Sequence, residues 1–96
     1  MALLVVVGCQ PAAADAHTVR GVLVDVRGAS LQRADSFTVR TNDGSEYTFV
    51  PAADFNKNVT HAMTPGHMRQ HMALAEPITV TYREQRGNLI ALSATD

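Results

Sequence analysis

The densest run of ligand-type side chains in this 96-residue sequence is Thr60-His61-Ala62-Met63-Thr64-Pro65-Gly66-His67-Met68-Arg69-Gln70-His71-Met72, with three of the four histidines and three of the four methionines. Thr64-Pro65 reads as a helix start, because threonine caps well and proline at the first helical position loses no hydrogen bond. On that helix His67 and His71 are four residues apart, so their rings leave one face within reach of a single ion. Imidazole suits zinc, copper and nickel, and thioether selects Cu(I). His61 and Met63, just before the helix, are positioned to fold over the same face. The sequence therefore offers His61, Met63, His67 and His71 as metal ligands, with copper or zinc as the ion. The same residues also admit a packing role, with Met68 and Met72 filling the core, His67 on the surface and His71 bonded to a nearby carbonyl. No carboxylate or cysteine lies in the segment, and the HExxH order of metalloproteases is absent.

Other chemistry is sparser. The sequence has no GxSxG elbow, phosphate-binding P-loop or GxGxxG turn, and Asp25, Asp35, Asp43, Glu46 and Asp54 are scattered, mostly in turns. A non-enzymatic protein is expected. The cations are almost all arginine, with Lys57 the single lysine. Arginine favours bidentate recognition of carboxylate or phosphate. Arg40 and Arg83 should point outward from their strands as a ligand face for a protein, a peptide or a small anion. The alternative for them is a solvated surface with cross-strand pairs to Glu46 or Glu84. A net charge of −1 gives no cationic footprint, so nucleic acid is not an expected partner.

The elements that must position these residues are mainly strands. From His17 the pattern has period two. Val22, Val24 and Val26 fall on one face of a long strand and Val19 and Leu23 on the other, with Gly21 where such a strand bends. Ser36–Thr41 alternates with Phe37 and Val39 inward. Asn42-Asp43-Gly44-Ser45 is a hairpin signal, and Glu46–Val50 returns with Tyr47 and Phe49 on one face before Pro51. The helix spans Pro65–Ala75, with Met68, Met72 and Ala75 on one side and Pro77 beyond its end. Ile78–Arg83 and Leu89–Ala94 are the last strands, turned by Gln85-Arg86-Gly87-Asn88.

Three strands, a helix and two strands is the order of the OB-fold, a five-stranded partly open barrel. A five-stranded SH3-like barrel is the alternative. In the OB arrangement a Gly-bent first strand serves both halves of the barrel, and Met68, Met72 and Leu74 would plug its bottom. Residues 17–96 form this domain, and residues 1–16 precede it as a signal remnant and tether.

Two resemblances follow from these residues. Val6-Val7-Gly8-Cys9 resembles the bacterial lipobox, which implies acylation of Cys9 and a membrane anchor. Gln10-Pro11-Ala12-Ala13-Ala14-Asp15-Ala16 has the small, polar composition of a tether. Met1 runs into apolar residues with no Lys or Arg, whereas a signal peptide has a basic n-region, so a basic segment is expected upstream of Met1. The alternative is an N-terminal strand with a buried free cysteine. Val19 to Ala94 resembles small exported bacterial OB-like domains of unknown function, often carried on lipoproteins. The resemblance rests on the Gly-containing first strand, on Phe37-Thr38-Val39-Arg40-Thr41-Asn42-Asp43-Gly44, and on Ile78-Thr79-Val80-Thr81-Tyr82-Arg83 with Gly87-Asn88-Leu89-Ile90-Ala91-Leu92. It implies a cell-envelope location and a binding or interaction role, and it brings no catalytic residues.

Overall fold

A computed structural model describes residues 16–56 and 63–96. Its elements are β1 (His17–Arg27), β2 (Ser36–Arg40), β3 (Glu46–Pro51), α1 (Pro65–Leu74), β4 (Ile78–Gln85) and β5 (Asn88–Thr95). The strands close a barrel in the order β1-β2-β3-β5-β4. All pairings are antiparallel except β3 with β5, which runs parallel from Phe49–Leu89 to Pro51–Ala91. With one helix between β3 and β4, this is an OB-like small barrel.

Gly21 explains how β1 closes it. Residues His17–Gly21 pair with β4, and Val22–Arg27 pair with β2. Where the strand changes partners, a Cβ on residue 21 would stand 2.3 Å from the Arg40 carbonyl oxygen and 2.7 Å from Val39 Cγ1. Only glycine admits that approach.

The alternation expected along β1 is interrupted. The register shifts between Leu23 and Asp25. An extra residue at a bulge flips the phase of everything after it. Leu23 and Val26 are therefore the buried pair, and Val22 and Val24 are only half-buried. Val26 does not share a face with Val22 and Val24 as a regular period would require.

The other strands keep their expected faces. Phe37, Val39, Phe49, Ile78 and Val80 are fully buried. Phe37 and Phe49 are in ring contact at 5.4 Å, and Tyr47, Phe55 and Tyr82 pack against this core. The β2–β3 turn forms as read, with Gly44 at φ 88° and Asp43 Oδ1 accepting from Ser45 N–H at 3.0 Å and from the Thr41 hydroxyl. Arg86 and Gly87 both have positive φ between Gln85 and Asn88, the two-residue hairpin geometry that matches strand twist.

The helix starts as expected, with Thr64 Oγ1 accepting from His67 N–H at 3.2 Å. Its buried face is Pro65, Met68 and His71, with Met72 half-buried against the core. This corrects two expectations. Leu74 does not plug the barrel, being 59% exposed, and Ala75 is the exposed left-handed C-cap at φ 54°. The inward stripe is turned toward His71, so a polar ring sits where an apolar one was expected. Arg69 Nη2 donates to the carbonyls of Val26 (3.3 Å) and Gly28 (3.1 Å), tying α1 to the end of β1. Among the described residues, no helix is long and apolar enough to cross a membrane.

Candidate metal centre

The β4–β5 hairpin determines what α1 meets. Helix α1 leads through Ala75, Glu76 and Pro77 straight into β4. The hairpin then returns the chain, pairing Thr79 with Thr95. Asp96, one residue past that pair, is thereby delivered to the last turn of α1. Asn56, held at φ 58°, steadies the same strand end by accepting from Ala94 N–H at 2.8 Å.

Three donor atoms converge there. His67 Nε2 and His71 Nε2 are 3.1 Å apart, and Asp96 Oδ1 lies 3.0 Å from His71 Nε2 and 3.7 Å from His67 Nε2. Two ligands on a tetrahedral ion with bonds of about 2.0–2.1 Å are roughly 3.3–3.4 Å apart. The three separations bracket that value. The imidazole rings are nearly parallel, 11° between planes and 4.9 Å between centroids. Stacked, nearly parallel rings hold their in-plane lone pairs in two separate planes, so one ring must turn about χ2 for both to reach one ion. His67, half-buried, has room to turn, whereas His71 is 7% exposed.

The two faces of the His71 ring differ. Its Nε2 edge meets His67 and Asp96. Its Nδ1 is buried and has no hydrogen-bond partner among the described residues. Glu76 Oε1 stands 3.6 Å from Nδ1, too far for a hydrogen bond. A buried unpaired polar atom costs about 1–3 kcal/mol. Most such atoms in native proteins are paired, so this one needs an explanation.

The remaining sequence candidates fall as follows. Met63 is 3% exposed and belongs to the hydrophobic core cluster. His61 and Cys9 lie outside the described residues. Asp96 was not legible as a ligand in the sequence. No carboxylate lies within the His/Met segment, yet one joins the two histidines in space. The signal that could have found it is the hairpin itself, since the residue closing β5 must return to the start of β4 and hence to the end of α1.

Of two clefts on the barrel, neither is lined by both Arg40 and Arg83. Arg40 donates to Glu46 Oε2 from Nε (3.1 Å) and Nη2 (2.8 Å), the cross-strand pair foreseen for it. Arg83 donates to Gln85 Oε1 at 3.4 Å. Arg40 instead joins Arg20 and Pro77 around a cleft of about 250 Å³ over Gly21. Arg20 there donates to Thr79 Oγ1 at 2.7 Å. A second cleft, of about 380 Å³, lies beside Arg33, Asp35 and Pro51. Arg33 donates from it to the carbonyls of Ala52 and Ala53, each at 3.2 Å. Neither cleft is lined by the histidines. Set against protein-family models, curated proteins and solved structures, the chain matches none.

Proposed function

We propose that this chain is a non-enzymatic binding domain of the bacterial cell envelope, and that its ligand is a divalent transition-metal ion held by His67, His71 and Asp96. The observation that carries the metal reading is the convergence of two imidazole nitrogens and one carboxylate oxygen at separations of 3.0 to 3.7 Å. Two nitrogens and a hard oxygen favour Zn(II) or Cu(II) over Cu(I), which prefers thioethers and thiolates. The resting hydrogen bond between the histidines supports the reading too, because the ion would replace a shared proton without moving the backbone.

Calorimetric titration of the full chain with Zn(II) and Cu(II) tests it. One ion per chain is expected, with affinity falling at least about a hundredfold in His67→Ala/His71→Ala, since the pair supplies two of three donors. Binding that is absent, or unchanged in the double variant, contradicts the metal reading.

The envelope location rests on the Cys9 motif and the tether after it. Mass spectrometry of the native protein should find a mature N-terminus at an acylated Cys9, and an unmodified Cys9 within a longer chain removes the anchor. A second reading, a small anion in the Arg20–Arg40 cleft, is favoured by two guanidinium groups on one opening. Both already have acceptors, which places it behind the metal centre.

A further inference from the structure

We propose that Glu76 is the positioning residue of this centre: when the ion binds, its carboxylate accepts a hydrogen bond from His71 Nδ1–H and so fixes the tautomer and ring plane that present Nε2 to the metal. The inference rests on the metal reading above.

His71 carries an unanswered requirement. With its proton on Nε2, the buried Nδ1 turns a lone pair toward the Glu76 carboxylate 3.6 Å away. With the proton on Nδ1, the hydrogen has an anionic acceptor, and Nε2 offers its lone pair toward His67 and Asp96. The second tautomer is the one a metal at Nε2 requires. A closure of roughly 0.7 Å would bring Glu76 to the usual N–H···O distance. Carboxylates behind metal-bound imidazoles commonly act this way, orienting the ring and raising its basicity.

The backbone prepares Glu76 for that closure. Ala75 in the left-handed conformation ends the helix, and Glu76 N–H donates to the His71 carbonyl at 3.0 Å. The root of Glu76 is thus locked beside His71, while its side chain is 56% exposed and free to swing. Its position is also one that helix electrostatics disfavour, because a carboxylate at a helix C-terminus meets the negative end of the dipole.

The test compares wild type, Glu76→Gln and Glu76→Ala by Zn(II) titration, with long-range ¹⁵N–¹H NMR of the His71 ring in each loaded protein. In Glu76→Ala the dissociation constant should rise about 10- to 100-fold, the range usual for such outer partners. Glu76→Gln should fall between, since its amide oxygen still accepts. The wild-type spectrum should show His71 protonated at Nδ1 and bound through Nε2, with the Nδ1–H signal exchange-broadened in Glu76→Ala. The thermal midpoint of the metal-free variants should not fall below that of wild type, because removing the carboxylate relieves its clash with the helix dipole, and this separates positioning from folding. Affinity of Glu76→Ala within twofold of wild type, or metal bound through Nδ1, overturns the role of Glu76 while leaving the metal site standing. Absence of Zn(II) binding by wild type overturns both.

Discussion

The arginine cleft over Gly21 and the histidine centre beside Asp96 are both groups of polar side chains on one small barrel, and they are finished to different degrees. In the cleft, Arg40 has Glu46 and Arg20 has Thr79. In the centre, two histidine nitrogens share one hydrogen bond, a carboxylate stands beside them, and the far nitrogen of His71 has no hydrogen-bond partner among the described residues. A polar group with its partners in place is explained by the fold. One buried without a partner is explained by what it awaits or by a cost that selection tolerated. The cleft thus belongs to barrel closure, and the centre is where we propose that a ligand binds.

The largest expected effect breaks the cleft. Gly21→Ala forces a Cβ against the Arg40 carbonyl and should destabilise the fold by about 3 kcal/mol, the upper end for overpacking, measured by urea denaturation. Survival of the variant at wild-type stability would show that β1 does not need its close approach. Zinc at a hundred times its dissociation constant should add about 2.7 kcal/mol, a rise in thermal midpoint of roughly 10 °C or more for a domain this small. Asp96→Asn should shrink that rise without abolishing it, because both imidazoles remain. Arg40→Met should cost no more than about 1 kcal/mol, as expected for an exposed ion pair. A larger loss would mean the cleft is more than a sheet surface.

The smallest effect is a pH dependence at the β2–β3 turn. Hydrogen bonds from the Thr41 hydroxyl first, and then from Ser45, hold the Asp43 carboxyl below its ordinary value. A carboxylate depressed in the folded state stabilises fully above its unfolded value, and that contribution drains away as pH falls through the lower folded one. Urea midpoints of Asp43→Asn should therefore vary less than those of wild type between about pH 5 and pH 2. Equal slopes would mean that Asp43 is no better held than in the unfolded chain.

The barrel was legible because its rules are local. Alternation placed Phe37, Val39 and Phe49 inward, Asn42–Ser45 and Thr64-Pro65 set a turn and a helix start, and Gly21 marked the bend. What escaped depends on more than one element at once. The bulge between Leu23 and Asp25 leaves no mark in a run of valines, and it moved Val26 to the other face. The face of α1 was missed by a fraction of a turn, because methionine spacing suggested Met72 and Ala75 where the packing chose Pro65, Met68 and His71. The histidine pair was visible at helical spacing. Asp96 was not, since twenty-four residues of chain lie between it and His71. Only the β4–β5 register brings them together.

The most direct measurement of the central claim is anomalous scattering at the zinc edge from crystals grown with stoichiometric Zn(II). The metal reading predicts one peak about 2.0–2.1 Å from His67 Nε2, His71 Nε2 and an Asp96 carboxylate oxygen, with one imidazole turned from its present plane. No peak between these residues, or occupancy only elsewhere on the barrel, would contradict it.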